Sequence, residues 1–140
     1  MKKTVTPARP EPRGLRVNDR RVLGVLEAAD APLRAYELLD LLRRQGINGP
    51  PTVYRALERL TRRGLVHRIE SMNAYIACRT PCHGNPPILM ICDRCGSTEE
   101  LHEDMIVARL RRRARALGLE LDTIYLELRG RCARCGTAST

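Results

Sequence analysis

Residues 67–95 read HRIESMNAYIACRTPCHGNPPILMICDRC and hold two of the three histidines and four of the six cysteines of the chain. The stretch ends in a Cys92-x2-Cys95 pair, and Cys132-x2-Cys135 repeats that spacing downstream. A tetrahedral metal ion takes four ligands, so the paired cysteines supply one complete set. Candidates for a second set are His67, Cys78, Cys82, His83 and Glu100. The sequence therefore predicts two metal sites built around this stretch.

The paired cysteines are the most specific signal in the sequence. A C-x2-C spacing lets both thiolates reach one ion through a tight turn, and Gly96 and Gly136 directly follow the two pairs, as such turns favour. Four thiolates around zinc form a closed, structural site. The alternative is four buried cysteines without a metal ion, which the doubled spacing disfavours. The predicted structural zinc ligands are Cys92, Cys95, Cys132 and Cys135.

The second candidate set is chemically mixed. Its members are His67, Cys78, His83 and Glu100, which offer nitrogen, sulfur, nitrogen and oxygen donors. Cys82 is adjacent to His83 and is an alternative to it, and His102 is a further candidate. A sulfur ligand favours zinc over iron or manganese, for which sensors use nitrogen and oxygen donors. For His67 taken alone, the alternative is a surface histidine on a strand.

The positive charge of the chain lies almost entirely in its first half. The net charge is +9, and residues 1–68 carry 15 Lys and Arg against 7 Asp and Glu, whereas residues 69–140 carry 10 against 9. This asymmetry predicts that only the first half meets a polyanion such as nucleic acid. The alternative is a solvated, arginine-rich surface. Because the chain has no Trp and no Phe, a structural metal ion would also help a core of smaller side chains.

The sequence gives no sign of export or membrane insertion. Residues 1–12 are polar and contain three prolines, without the apolar segment of a signal peptide. No apolar run approaches the ~20 residues of a membrane span. We therefore expect a cytoplasmic protein with no membrane partner, in which reduced cysteines bind metal rather than form disulfides.

Periodicity predicts three helices and a hairpin in the first half. The helices cover Val17–Ala29, Pro32–Gln45 and residues 51–63, the last opened by Gly49-Pro50-Pro51-Thr52. The hairpin strands are predicted at Leu65–Ile69 and Ala74–Cys78. Three helices followed by a short hairpin form a winged helix-turn-helix, with arginines on the outer face of the third helix.

The second half is predicted to be a small α/β unit. Its strands are Ile88–Ile91, Ser97–Leu101 and a long Leu119–Leu128, and its helix is His102–Leu117, with a stripe at Ile106, Leu110, Ala114 and Leu117. The predicted fold class is α+β, an N-terminal winged helix-turn-helix DNA-binding domain followed by a small zinc-containing α/β dimerisation domain. The predicted domains are a flexible basic arm at 1–16, the winged helix at 17–78, a hinge at 79–86 and the dimerisation domain at 87–140.

One recognition helix per chain reads one DNA half-site, so a palindromic operator requires a two-fold homodimer. The nearly neutral second half is the predicted interface. In the third helix, Arg55 is predicted to read a base, with Arg59, Arg62 and Arg63 nearer to phosphates.

The segment PPTVYRALERLTRRGLVHRIESMNAYIAC, followed by ICDRCGSTEEL and the closing C-x2-C, resembles the ferric uptake regulator superfamily and, within it, the zinc uptake regulators. The similarity covers residues ~17–136. It implies a homodimeric, zinc-sensing repressor of zinc uptake genes that binds double-stranded operator DNA, has no enzymatic activity and binds no small molecule other than metal. By position it assigns Cys92, Cys95, Cys132 and Cys135 to structural zinc and His67, Cys78, His83 and Glu100 to a regulatory zinc, which gives two ions per chain. The expected DNA-binding residues are Tyr36, Thr52, Tyr54, Arg55, Arg59, Arg62 and Arg63, of which Tyr36 and Arg55 match base-contacting positions.

The chain also departs from its iron-sensing relatives. They carry a histidine-rich segment just before the first cysteine pair, whereas this chain reads Pro86-Pro87-Ile88-Leu89-Met90-Ile91 there. This difference argues against an iron or peroxide sensor. The loop from Cys78 to His83 is short and contains the extra Cys82, so either Cys82 or His83 is the third regulatory ligand.

Three other functions would use the same residues. A constitutive DNA-binding protein would use zinc only structurally, and a thiol redox switch would use Cys78 and Cys82. A zinc enzyme would leave one metal position open beside a base such as Glu100, but the H-x-E and P-C-x-x-C motifs of zinc deaminases are absent.

Overall fold

Three helices and a small sheet form the N-terminal part of the computed structural model, which describes residues 12–79 and 84–136. Helix α1 spans Val17–Ala28, α2 spans Ala35–Leu42 and α3 spans Pro50–Arg62. Strand β1 spans Leu33–Arg34, β2 spans Val66–Ile69 and β3 spans Ala74–Ala77, in the antiparallel order β1-β3-β2. This is the predicted winged helix-turn-helix, with β2 and β3 as its wing.

The apolar stripes of the three helices meet in one core. Its fully buried side chains include Val22 of α1, Leu38 and Leu42 of α2, and Val53, Leu57 and Leu60 of α3. Because these residues recur at helical spacing, burying them leaves the opposite faces of α2 and α3 in solvent. Tyr36, Tyr54 and Arg55 lie on those exposed faces.

The second helix begins later than predicted. The sequence predicts Pro32–Gln45, but Leu33 and Arg34 instead pair with β3, and α2 begins at Ala35. The backbone of Arg34 is extended, and its amide donates a hydrogen bond to the Glu37 carboxylate at 2.7 Å. That carboxylate satisfies an amide at the helix N-terminus, which fixes the starting point.

The C-terminal part contains a second sheet. Strand β4 spans Ile88–Cys92, β5 spans Thr98–Leu101 and β6 spans Leu126–Gly130, and helix α4 spans Asp104–Ala116. The strand order is β5-β4-β6, with β4 antiparallel to β5 and parallel to β6. The α+β class is thus confirmed. Within the described ranges no helix is long and apolar enough to cross a membrane.

The long strand predicted at Leu119–Leu128 is wrong in its first seven residues. In the parallel register Ile88 pairs with Leu126 and Cys92 with Gly130. Pro86 and Pro87 precede β4, and proline has no amide hydrogen for a ladder. Residues 119–125 therefore have no strand partner on β4, and β6 begins only at Leu126.

The stripe predicted on the helix of the second half exists, but it faces outward. Ile106, Leu110 and Leu117 are 46%, 40% and 84% exposed, and Val107 is the buried residue of α4. Met105 and Leu128 are also exposed. The described part of the chain therefore leaves an apolar face on its C-terminal half, of the kind that marks a protein interface.

Candidate metal centres and nucleic-acid interface

The parallel pairing of β4 with β6 brings the two cysteine pairs to one edge of the sheet. Each pair is followed by a tight turn, because the Gly96 amide donates to the Cys92 carbonyl at 2.9 Å and the Gly136 amide donates to the Cys132 carbonyl at 2.7 Å. Gly96 has a φ of 73°, which favours glycine. A Cβ at Gly136 would lie 2.8 Å from the Cβ of Arg131. Both glycines are thus required by the turns that aim the sulfurs at one point.

The four sulfur atoms fit one tetrahedral ion. Cys92, Cys95, Cys132 and Cys135 have Sγ atoms that all lie within 4.8 Å of one another. The Sγ atoms of Cys95 and Cys132 are 3.7 Å apart. Zinc–sulfur bonds of about 2.3 Å in a tetrahedron separate the sulfurs by about 3.8 Å. Four thiolates match the donor preference of zinc in closed sites.

The thiol pKa values differ within the cluster. Hydrogen bonds from the backbone of Cys132 and then of Cys95 lower the pKa of Cys92 to about 6, and the Cys132 amide lies 3.4 Å from the Cys92 sulfur. A backbone hydrogen bond at Cys135 lowers the pKa of Cys132. Hydrogen bonding to Cys95, burial and the other two thiols raise the pKa of Cys135 to about 12. Cys135 is hard to ionise because its neighbouring thiolates repel a further negative charge. A divalent cation would offset that repulsion.

A second donor group joins the wing to the C-terminal sheet. The donor atoms of His67, Cys78 and Glu100 lie within 4.8 Å of one another, with Cys78 Sγ 3.8 Å from Glu100 Oε2. His67 lies on β2, Cys78 directly follows β3, and Glu100 lies on β5. The Arg79 amide donates to the other Glu100 oxygen at 3.2 Å, which orients the carboxylate.

Of the remaining candidate ligands of the second set, only His102 lies within the described residues. His83 and Cys82 lie outside the described residues. Nε2 of His102 is 3.6 Å from Glu100 Oε2, so His102 is adjacent to the group. Three donors of nitrogen, sulfur and oxygen leave one position of a tetrahedral zinc for a further ligand.

The wing also packs on the C-terminal sheet through an apolar cluster. The buried members are Ile69 of β2 and Leu89 and Ile91 of β4, and Met72 and Ile76 pack against them. Ile69 has no exposed surface. Burial of this cluster stabilises the arrangement in which the second donor group is assembled.

A hydrogen-bonded contact lies beside this cluster. The Ser71 amide, in the turn Glu70–Met72 between β2 and β3, approaches the two Glu127 carboxylate oxygens at 3.2 and 3.4 Å. Burial alone would raise the pKa of Glu127, but hydrogen bonds from Ser71 and Glu70 outweigh it and lower the pKa. Glu127 therefore stays ionised and anchors the tip of the wing to β6.

The candidate nucleic-acid residues are mostly solvent-facing. Tyr36, Tyr54, Arg55, Arg62 and Arg63 are exposed, and Thr52 is half-buried at the start of α3. Arg62 pairs with Glu58 one turn earlier, and both side chains are exposed. Arg63 donates to the carbonyl of Arg13 at 2.8 Å. An exposed ion pair contributes little, so the Arg62 charge is available to a phosphate.

Arg59 differs from the other arginines of α3. Its Nε and NH2 groups donate to both carboxylate oxygens of Asp19 on α1, at 2.7 to 3.2 Å. The Asp19 side chain is 4% exposed and that of Arg59 is 29% exposed. The expected phosphate contact therefore competes with an existing intramolecular ion pair.

Sequence reasoning missed Asp19 and Glu127. Asp19 precedes Val22, Leu23 and Leu26 at helical spacing, so the apolar stripe of α1 already placed it on the buried face. A charged residue on such a stripe predicts a buried partner. Glu127 had no comparable signal, because its contact with Ser71 joins residues 56 positions apart.

Known zinc uptake regulation proteins are similar in sequence to most of this chain. The "Zinc uptake regulation protein" of Escherichia coli (strain K12) is 37% identical over 129 residues, which cover 88% of this chain and 74% of that protein. The protein of the same name from Mycobacterium tuberculosis (strain CDC 1551 / Oshkosh) is 33% identical over 112 residues, 79% of this chain and 85% of that one.

Two solved structures have the same fold. The crystal structure of holo XcZur has a TM-score of 0.81 and 43% identity, and the match covers 90% of each chain. The structure of a zinc uptake regulator complexed with zinc and DNA has a TM-score of 0.78 and 36% identity, over 87% of this chain and 84% of that one. Residues 13–129 match the Ferric uptake regulator family. The chain belongs to the ferric uptake regulator family.

Proposed function

We propose that this chain is a zinc-responsive transcriptional repressor that binds operator DNA as a zinc-loaded homodimer and controls zinc uptake genes in the cytoplasm. Its similarity to zinc uptake regulation proteins, and to a regulator solved with zinc and DNA, supports this function. The observation that carries it is the donor group His67, Cys78 and Glu100, which spans the wing and the C-terminal sheet. Such a donor group fits a family of regulators and not of enzymes.

We propose two zinc ions per chain. Cys92, Cys95, Cys132 and Cys135 hold a structural ion, which the spacing of their sulfur atoms supports. His67, Cys78 and Glu100 hold a regulatory ion. The remaining ligand, third in chain order, is His83 or its neighbour Cys82, with His102 as a nearby alternative. Bound zinc supplies ligand bonds that link distant segments and no redox chemistry.

The regulatory group responds because its donors come from two parts of the fold. His67 and Cys78 move with the wing, whereas Glu100 belongs to the C-terminal sheet. Only the closed arrangement, with the wing on that sheet, assembles all three donors. Zinc that binds this arrangement better shifts the population toward it, by no more than its differential affinity. The winged helices are then held at a fixed angle on the dimer.

The DNA-binding surface is centred on α3. Arg55 faces the major groove and reads a base, and the exposed Arg62 and Arg63 neutralise phosphates. Tyr36 and Tyr54 are exposed and Thr52 is half-buried, and these residues complete the proposed contact. Arg59 differs from these residues, because one side of its guanidinium is bound to Asp19.

The homodimer is supported by the uncovered apolar face of the C-terminal half. Ile106, Leu110 and Leu128 are exposed on α4 and β6, and a second copy would cover them. The two recognition helices then address two half-sites of a palindromic operator.

The test is DNA binding against buffered free zinc, in parallel with iron and manganese. Operator affinity should rise steeply with zinc and less with the other ions. Arg55→Ala should reduce discrimination against a wrong base, worth about 1–3 kcal/mol, whereas Arg62→Ala should mainly reduce the salt dependence. Operator binding that ignores zinc under reducing conditions would refute the proposal and favour a constitutive DNA-binding protein.

A further inference from the structure

The ion pair between α1 and α3 is unusual in its burial. Asp19 is the buried charged residue of the described part of the chain, with 3% of its surface exposed. Its partner Arg59 stands 40 positions away on the helix that carries Arg55 and Arg62. The two side chains form a bidentate contact, with Arg59 Nε 3.0 Å from Oδ2 and NH2 2.7 Å from Oδ1.

From this contact we infer that Asp19 is a positioning residue for DNA binding, which orients α3 on α1 and withdraws the charge of Arg59 from the DNA phosphates. The inference rests on the proposed function, because it describes how the same helix meets DNA. It assigns Arg59 a structural role, although Arg59 lies on the arginine-rich face of α3.

The geometry supports the positioning role. A bidentate pair of guanidinium and carboxylate fixes orientation as well as distance, because both groups are planar. The hydrogen bond to Asp19 is the largest cause of the raised Arg59 pKa. Removing either partner leaves the other without its counter-charge, and a buried carboxylate without a counter-charge is strongly unfavourable. The helices are therefore held at the angle that satisfies the pair.

The withdrawn charge has a consequence for specificity. Non-specific binding to DNA is largely electrostatic, and each phosphate contact contributes about 0.9 to the slope of log affinity against log salt. An arginine compensated by Asp19 adds little to that term. The chain thus keeps Arg55 for base readout while limiting the attraction of α3 to random DNA.

The experiment measures the salt slope and the operator-to-random affinity ratio of the zinc-loaded full chain. Arg59→Gln should lower the affinity ratio, because Asp19 is left unpaired. The matched variant Arg62→Gln, on the same helix, shows the size of a lost phosphate contact, about 1.8 for the two protomers of a dimer. Adding Asp19→Asn to Arg59→Gln restores a neutral hydrogen-bonded pair and should recover the ratio. Because the double variant removes both charges of the pair, it should also keep the wild-type slope. Circular dichroism checks that each variant is folded.

Two results would overturn the inference. One is a slope that falls by about 1.8 in the folded double variant, which would make Arg59 a phosphate contact. The other is an affinity ratio that is unchanged in Arg59→Gln or not recovered in the folded double variant. The proposed function is tested independently by titrating the wild-type protein with zinc in the same assay. If its operator affinity does not respond to zinc, that function fails, whatever the salt slopes are.

Discussion

The substitution Glu100→Gln separates metal binding from the response to metal. His67 and Cys78 come from the same hairpin, in which His67 pairs with Ile76 and the Cys78 amide donates to the Leu65 carbonyl at 2.8 Å. Glu100 is the donor that the C-terminal sheet contributes to the described group. Glutamine keeps the shape of the side chain and an oxygen that accepts from the Arg79 amide, but it removes the anionic ligand.

The expected loss follows from this division of the ligands. Coupling between two sites typically changes affinity by about 5–150-fold, or about 1–3 kcal/mol. Because Glu100 supplies the ligation across the two sheets, its loss should reduce the zinc-dependent gain in operator affinity to nearly onefold. The affinity for random DNA should not change, since that term depends on the charges of the winged helix.

The assay is fluorescence anisotropy with a labelled operator over a range of buffered zinc, with bound zinc counted by mass spectrometry. Glu99→Gln is the matched control, because Glu99 is the exposed preceding residue of β5, and it should respond as the wild type does. If Glu100→Gln keeps a wild-type gain with zinc, the group that spans the two sheets is not the sensor.

Three further predictions concern the structural ion, its pH dependence and the dimer. Cys135→Ser should lower the thermal stability of the C-terminal half, because a structural ion contributes folding free energy; Cys78→Ser should leave that melting transition unchanged, and equal melting of the two variants would contradict the assignment. The pKa of Cys92 is lowered from 9.0 to about 6, so the thiolate that stabilises the folded site is lost as pH falls through about 6. Bound zinc competes with protons for this thiolate, so zinc should stay bound above about pH 6 and pass to a chromophoric indicator only at lower pH; release that begins above about pH 7 would count against this. Leu110→Asp should dissociate the dimer in sedimentation velocity at micromolar concentration, whereas Ala108→Asp, on the other side of α4, should not; a Leu110→Asp dimer of normal stability would place the interface elsewhere.

Much of the fold was predictable because local signals and tertiary packing agree. The stripe Val53, Ala56, Leu57 and Leu60 predicts α3 and is fully buried in the structure. The wing is predicted at Leu65–Ile69 and Ala74–Cys78, and it forms within one residue of those limits. Turn chemistry and helical periodicity act over a few residues, so a single sequence contains them.

The errors lie where a distant partner decides the structure. Leu119–Tyr125 alternates like a strand, yet the strand begins only where β4 offers a partner, at Leu126. Leu33 and Arg34 leave the predicted helix because Tyr75 and Ala74 pair with them. Strand pairing across tens of residues has no local signature, so these limits could not be predicted.

The candidate site divides in the same way. The spacing of the C-x2-C pairs is a local signal that predicts a shared ion. The parallel strands β4 and β6 bring the two pairs together. The set of His67, Cys78 and Glu100 was predicted from the resemblance and the chemistry of its donors, and their proximity in the structure is consistent with it. The roles of these residues, the fourth ligand and the domain boundaries remain predictions. Apolar periodicity places Asp19 on the buried face of α1, but it does not identify the partner, because Arg59 lies 40 positions away.

The inward packing of the wing tip separates two properties on which selection can act. Met72 packs on the C-terminal sheet, and the Ser71 amide donates to the Glu127 carboxylate. In this arrangement the turn of the wing makes its contacts within the protein. Under the proposed function, substitutions at this contact should change how readily the wing closes, and hence the zinc concentration at which genes are switched. Substitutions on the outer face of α3, the proposed reading surface, should instead change which operator is read. A lineage can therefore adapt its zinc threshold to a new habitat while it keeps its set of target genes.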